Sequence, residues 1–214
     1  MLQCTLARST QNGYNFSKRE TPFTAMADIN SIELGQYEVP TKLPVFHCHL
    51  GAFADQLILA REAIEELRIS HPESTPSNVK SVYMSPWKSH QLNPKFAPLT
   101  ETVKQMAMRA SRQHLVTDLA NLNLDLVVTD CWGVIYEESD HTILHSHFPS
   151  DFSAVIYLEA GPNCAPIVFD NHLVITPQPG WLILFPGMLR HHVPENHDRR
   201  VIVSMNMLKL PKFQ

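Results

Sequence analysis

Apolar positions divide the chain into a helical first half and a strand-rich second half. They recur at helical spacing over 54–68, and again over 99–122, where Thr100 is the expected N-cap. Beyond residue 122, short runs of Val, Ile, Leu and Phe follow one another, separated by Pro, Gly, Asn and Asp. These runs predict strands at 124–128, 132–136, 153–159, 166–169, 173–176, 181–185 and 200–208.

This order of elements predicts a mainly β protein with flanking helices. Consecutive short strands without helices between them are typical of a sandwich, a jelly roll or a barrel. Residues 1–40 show no sustained period and are expected to form an N-terminal arm. We expect residues 41–214 to form a single domain that includes both helices.

Composition and charge place the chain among soluble globular proteins, at 44% hydrophobic and 18% charged residues. Its 17 Lys and Arg and 21 Asp and Glu form no long block of one sign, so neither nucleic acid nor a membrane surface is an expected partner. Residues 1–13 are polar and lack an apolar signal core, which favours a cytoplasmic protein. The cysteines form no C-x-x-C pair and are expected to be reduced thiols: Cys4, Cys48, Cys131 and Cys164.

Histidines carry the candidate metal chemistry, because six of the 12 fall within 141–147 and 191–197. His145 and His147 follow a β-type run, and strand alternation would direct both imidazoles to one face. His191 follows the strand-like run 180–187 and is the candidate third ligand. Its neighbour His192 would face the opposite way, so only one of the two can join the site.

Two further patterns need separate interpretation. His47-Cys48-His49 has the same H-x-H spacing without a downstream partner set, and we interpret it as structural. In the run 200–206, the apolar residues at 201, 203 and 205 share one face. The other face carries Arg200, Ile202, Ser204 and Asn206. Such a face is typical of a pocket wall with a carboxylate-binding guanidinium, although a surface arginine beside Arg199 is the alternative.

Together these segments resemble the 2-oxoglutarate/Fe(II) dioxygenase superfamily, in particular a prolyl-hydroxylase-like group with an H-x-H motif found in marine bacteria and phages. The similarity extends over about residues 42–210 and is carried by 131–133, 145–149, 152–158, 179–187, His191, Val193 and 200–206. It implies a double-stranded β-helix, or jelly roll, preceded by two α-helices.

The resemblance also implies site residues and cofactors. Fe(II) would be bound by His145, His147 and His191, with Asp151 as reserve ligand because most members have Asp where His147 stands. The co-substrate 2-oxoglutarate would be bound by Arg200, Tyr157, Ser204 and Asn206, and no catalytic residue is expected beyond the metal ligands. Many relatives have Ser where Ile202 stands.

The implied reaction uses O₂ to hydroxylate an unactivated C–H bond in a protein side chain or a small metabolite, releasing succinate and CO₂. Trp132 and the 85–98 segment would form part of the substrate rim. Two alternatives stay open: a cupin-type three-histidine dioxygenase or isomerase without 2-oxoglutarate, and a non-catalytic jelly-roll binding module. Arg200 discriminates, since a cupin has no need of it. A homodimer is an alternative to a monomer.

Overall fold

The computed structural model describes residues 33–34, 36–37, 41–114 and 118–212. The chain divides into two units, Met1–Thr41 and Lys42–Gln214. The expected N-terminal arm lies almost entirely outside the described residues. Of the residues described there, Leu34 and Tyr37 have fully exposed side chains.

Two antiparallel sheets contain all eleven strands of the described residues. The strands are β1 Phe46–His49, β2 Val79–Lys80, β3 Tyr83–Met84, β4 Leu124–Tyr136, β5 His141–His145, β6 Phe152–Ala160, β7 Ile167–Phe169, β8 Leu173–Ile175, β9 Trp181–Pro186, β10 His191–Val193 and β11 Arg200–Pro211. The six-stranded sheet has the order β1-β9-β6-β11-β4-β3, and the five-stranded sheet has the order β2-β5-β10-β7-β8. Strands distant in sequence therefore become neighbours.

The strand predictions hold where the apolar runs are long. Both segments predicted at 124–128 and 132–136 are strand, but the predicted break between them is wrong, because β4 runs through them without interruption and pairs along its length with β11. Three short strands were not predicted: β1 precedes the first helix, and β2 and β3 follow it. These short strands have too few residues to show a period.

Three α-helices lie in the described residues: α1 Ala54–Ser70, α2 Ser89–Leu92 and α3 Ala97–His114. The predicted helix 99–122 is wrong in extent, because α3 ends at His114 and Leu119–Leu122 form a 3₁₀ helix. Thr100 is not its N-cap. Its hydroxyl donates to the Ala97 carbonyl inside the helix, and Asn93 caps the preceding 3₁₀ turn by accepting from the Lys95 N–H at 3.0 Å.

Alternation along the strands of the six-stranded sheet produces two apolar cores. Its outer face packs against α1 and α3, and includes Val201, Val203 and Met205 of β11. Its inner face shares the second core with residues of the five-stranded sheet, such as Ile167 and Phe169. The parity predicted for 200–206 is confirmed by this division.

Gly133 of β4 explains how closely α1 can approach the outer face. A Cβ at this position would lie 2.3 Å from the Ile64 Cγ1 atom of α1, well inside van der Waals contact. The glycine of the 131–133 segment therefore admits a buried helical side chain.

No helix of the described residues is long and apolar enough to cross a membrane.

Candidate metal centre and anion cavity

Three histidines from two adjacent strands and the following loop meet inside the molecule. His145 ends β5 and lies opposite His191, the first residue of β10. His147 lies beyond the end of β5, and its backbone N–H donates to the Gly187 carbonyl at 2.7 Å. The potential ligand atoms of the three side chains all lie within 4.8 Å of one another. The predicted trio is thus brought together, although His147 is positioned by a loop contact and not by strand alternation.

The three histidines line one cavity inside the molecule together with Thr142 and Arg200. An irregularity in the pairing of β5 brings Thr142 to this cavity. His191 pairs with His145 but Val193 pairs with Thr142, so two residues of β5, Ile143 and Leu144, lie opposite one residue of β10. Both of these apolar side chains are about half exposed, at 48% and 47%. Thr142 and His145, three positions apart, therefore both line the same cavity.

The side chains of His191 and His192 point to opposite faces of β10, and this distinguishes the candidate ligand from its neighbour. His191 is 4% exposed and lines the inner cavity with the other two histidines. His192 lines a separate surface depression with Ile143 and Leu144. Adjacent strand residues point to opposite faces, so His192 lies away from the cluster.

Hydrogen bonds orient two of the three imidazoles for metal binding. His145 Nδ1 lies 2.8 Å from the Ile143 carbonyl, and His191 Nδ1 lies 3.1 Å from the Leu189 carbonyl. A carbonyl only accepts, so each Nδ1 carries the proton and each Nε2 keeps a free lone pair. This is the tautomer that a metal-ligating histidine requires.

Burial also keeps the cluster uncharged. Desolvation, with additional repulsion from the neighbouring imidazoles, lowers the pKa of His147 to about 3 and that of His191 to about 4. Burial likewise lowers the pKa of His145. Neutral imidazoles suit first-row transition metals, including iron and zinc, so the donor set fits such an ion at neutral pH.

Arg200 lies in the same cavity as the histidines and is 1% exposed. Its Nη1 donates to the Ala165 carbonyl at 3.0 Å, and its Cζ lies 4.0 Å from the centroid of the Tyr136 ring. Its Nε and Nη2 atoms are buried and have no hydrogen-bond partner in the described part of the chain. Two donor nitrogens of a buried cation, with three N–H groups between them, are thus left for another group.

The charge of Arg200 is not balanced within this cavity. Among the described residues, no carboxylate lines it. An uncompensated buried cation costs several kcal/mol, and a bidentate carboxylate would satisfy both its charge and its free donors. The cavity is therefore complementary both to a small anion, at Arg200, and to a metal ion, at the three histidines.

Neutral hydroxyl groups line the same cavity as the guanidinium. The Tyr136 and Thr142 hydroxyls are hydrogen-bonded at 2.8 Å, and Tyr157 is 1% exposed. Burial raises the pKa of both tyrosines, with the Arg200 charge opposing the shift, so both phenols keep their protons at neutral pH. Ser204 also lines the cavity.

Tyr136 and Thr142 were not among the predicted site residues. Tyr136 was detectable, because alternation along β4 places it on the same face as Trp132 and Val134. Thr142 was not, because its direction depends on the irregular pairing of β5 with β10. A periodic pattern contains no signal for such a bulge.

Two predicted residues lie outside this cavity. Asn206 lines an adjoining groove, and its Oδ1 accepts from the Ser153 hydroxyl at 2.8 Å. Asp151, the reserve ligand, is engaged elsewhere: Oδ2 accepts from the Lys209 N–H at 2.7 Å, and Oδ1 lies 3.0 Å from Lys209 Nζ. The structure thus brings His147, and not Asp151, to the other two histidines.

The second H-x-H segment has structural contacts that account for both of its rings. The His47 ring stacks on Trp181 with centroids 5.1 Å apart, and His49 Nδ1 accepts from the Gly51 N–H at 3.0 Å. Gly180, at φ +81°, leaves room for the His49 ring. These contacts agree with the structural interpretation of the segment.

No protein-family model and no curated protein matches the sequence. Solved structures do match. A prolyl-4-hydroxylase from Pseudomonas putida aligns with TM-score 0.55 and 15% identity, over 79% of this chain and 93% of that one. A prolyl hydroxylase from Trichoplax adhaerens, in complex with a hypoxia-inducible-factor peptide fragment, aligns with TM-score 0.58 and 15% identity, over 77% and 83%.

A third similar structure is the non-heme alpha-ketoglutarate-dependent epimerase SnoN from nogalamycin biosynthesis. It aligns with TM-score 0.55 and 17% identity, over 77% of each chain. At these identities the likeness concerns the fold. The expected jelly roll with flanking helices is therefore confirmed.

Proposed function

We propose that this protein is an Fe(II)- and 2-oxoglutarate-dependent dioxygenase. His145, His147 and His191 would hold the metal, and Arg200 would bind the distal carboxylate of 2-oxoglutarate. Tyr157 and Ser204 would contribute hydrogen bonds, as would Tyr136 and Thr142. The substrate would be a protein side chain or a small molecule, and the expected reaction is hydroxylation with release of succinate and CO₂.

The observation that carries the proposal is the unbalanced guanidinium beside the three histidines. Arg200 is buried with two unused donor atoms in a cavity that also contains the histidine ligand atoms. A dicarboxylic acid that chelates a metal at one end and pairs with a guanidinium at the other matches both features. The fold similarity to a prolyl-4-hydroxylase and to a non-heme alpha-ketoglutarate-dependent epimerase adds support.

Each part of the site has a physical task in this scheme. When bound, the metal and 2-oxoglutarate would supply the oxidising power toward O₂, while the protein would provide binding, orientation and exclusion of water. The backbone carbonyls of Ile143 and Leu189 hold two imidazoles in the ligating tautomer. The protonated phenols of Tyr136 and Tyr157 can donate to a carboxylate, because neither is ionised at neutral pH.

Titration of 2-oxoglutarate into the anaerobic Fe(II) protein tests the proposal, with the metal-to-ligand charge-transfer absorbance as the readout. Arg200→Met removes the guanidinium and leaves an unbranched apolar side chain that reaches about as far as Nε. It should weaken 2-oxoglutarate binding by roughly a hundredfold to several-thousandfold, since an unpaired buried carboxylate typically costs about 3–5 kcal/mol. Iron binding should persist.

Arg199→Met is the matched control. The Arg199 guanidinium is in ion pairs with Glu137, Glu65 and Glu159 and does not line the cavity. It should bind 2-oxoglutarate as the wild type does. Equal affinities of wild type and Arg200→Met, or no binding to either, would contradict the proposed function.

A second candidate is favoured by the donor set itself. Three histidines without a carboxylate also suit a three-histidine metal dioxygenase or isomerase that takes no 2-oxoglutarate. Oxygen consumption with an organic substrate, but without succinate, would indicate that activity. A protein that binds metal and small acids without turnover of either kind would be a binding module.

A further inference from the structure

A groove beside the metal centre is not used by the proposed co-substrate site. His145, His147 and Trp132 line both the inner cavity and this groove, so the two spaces adjoin at the metal centre. Asn206, Asp130 and Trp87 line the groove but not the cavity. A molecule in the groove would lie next to the metal without displacing a group bound to Arg200.

The six-stranded sheet supplies one wall of the groove. Asp130 and Trp132 are two residues apart on β4 and so face the same side, and Asp130 lies opposite Asn206 of β11. Trp132 is 3% exposed, and its Nε1 is buried without an acceptor among the residues that the structure describes. A buried indole N–H usually has a partner, so this donor indicates a ligand acceptor.

Aromatic rings border the groove on its solvent side. Trp87 is 40% exposed, and its ring meets that of Trp132 edge-on at 4.8 Å between centroids. The Cys131 N–H donates to the Trp87 carbonyl at 2.8 Å, which holds the Trp87 backbone against β4. Asp130 directly precedes Cys131 in this strand. Phe148, one residue past the metal histidine His147, is 78% exposed and also lines the groove.

Asp130 gives the groove its charge. It is the sole carboxylate in the lining, no Lys or Arg lines the groove, and no cation within the described ranges forms an ion pair with it. Its one protein hydrogen bond among these residues comes from the Thr129 hydroxyl to Oδ2, at 3.0 Å. Burial lowers the pKa of His90, against the effect of the Asp130 charge, so His90 is neutral and does not compensate Asp130.

We propose that the groove binds the primary substrate and that Asp130 selects a substrate with a positively charged group, an ammonium or a guanidinium, near the carbon to be oxidised. The cation would pair with Asp130 and lie against the faces of Trp87 and Phe148, and a substrate carbonyl would accept from Trp132 Nε1. This inference rests on the proposed function, because it assigns a substrate class to the same metal centre. A neutral analogue would leave the carboxylate without a partner.

Binding of n-butylguanidinium tests the proposal, with the uncharged isostere n-butylurea as comparison probe. The full chain, loaded with diamagnetic zinc and 2-oxoglutarate, is followed through the indole N–H resonances of its three tryptophans. We expect saturable shifts of Trp87 and Trp132, and affinity for the cation about tenfold or more above that for the urea. Trp181, stacked on His47, is the internal control and should not shift.

Two variants complete the experiment. Asp130→Asn keeps an acceptor for Thr129 but removes the charge, and should reduce the preference for the cation to near unity. Glu138→Gln, an exposed position outside the groove, removes the same charge and should leave the preference intact. Equal affinity for the two probes in wild type, shifts confined to Trp181, or an undiminished preference in Asp130→Asn would each overturn the inference.

Failure of this inference is separable from failure of the proposed function. The charge-transfer titration measures 2-oxoglutarate at Arg200 without any primary substrate. If 2-oxoglutarate binds but the cation preference is absent, only the substrate class is wrong. If the preference is present without 2-oxoglutarate binding, the groove assignment holds but the dioxygenase assignment fails.

Discussion

The two faces of the six-stranded sheet are equally well buried but are composed differently. On β11, Val203 and Met205 face the helices and are completely inaccessible, while Arg200 and Ser204, on the other face, are 1% and 7% exposed. The buried centre of the outer face's contact with α1 and α3 is apolar. Partly exposed ion pairs, Arg61 with Glu159 and Lys104 with Asp125, also join the helices to this sheet. The inner face buries a guanidinium, imidazoles and hydroxyls.

This difference separates burial that stabilises from burial that carries a cost. Apolar side chains on the outer face gain free energy from leaving water, at about 25 cal/mol per Å². Polar groups on the inner face lose hydration, and the two unused donors of Arg200 regain nothing from the described residues. We conclude that the outer face maintains the fold and that the inner face is arranged for ligands, so substitutions on the two faces should have opposite signatures.

The largest expected effect is at the metal ligands. His191→Ala should weaken Fe(II) binding by roughly a hundredfold to a thousandfold, since binding energies of about 10–16 kcal/mol in four-ligand zinc sites amount to about 2.5–4 kcal/mol for each ligand. The metal-free fold should remain intact. Metal content after gel filtration measures the effect. His192→Ala, its neighbour on the other strand face, is the matched control, and loss of iron in that variant alone would reverse the assignment.

A pair of adjacent substitutions on β11 tests the comparison directly. Met205→Ala should lower the free energy of unfolding by about 2–5 kcal/mol, because it leaves a cavity in the outer core. Ser204→Ala should change it by less than about 1 kcal/mol but weaken 2-oxoglutarate binding up to about tenfold, the loss expected for one hydrogen bond. Denaturant unfolding of the metal-free variants provides the measurement. Similar destabilisation by both would show that the two faces do not differ.

A smaller effect of opposite sign is expected from Arg200→Met. Replacing an uncompensated buried cation with an unbranched apolar side chain should stabilise the metal-free protein by about 1 kcal/mol, despite the lost bond to the Ala165 carbonyl. The unfolding midpoint without ligand measures this gain. Saturating 2-oxoglutarate and metal should then stabilise wild type more than the variant. A variant several kcal/mol less stable than wild type would mean that Arg200 maintains the fold.

Much of the architecture and of the candidate site could be predicted from periodic patterns. Alternation over 200–206 divided β11 correctly into an apolar face and a face with Arg200, Ser204 and Asn206. The helical stripe over 54–68 located α1, which extends to Ser70. Helix ends were less predictable, since Thr100 has the composition of an N-cap but donates to a carbonyl within α3.

Local sequence therefore determined which side chains can share a face, because the period of a strand or a helix follows from backbone geometry alone. Tertiary structure decided the remainder. The pairing of β5 with β10 directs Thr142 and His145 into one cavity, the Gly187 carbonyl positions His147, and Lys209 engages the Asp151 carboxylate. Each of these outcomes depends on a partner more than 30 residues away in sequence, so no local pattern of apolar and polar positions could contain it.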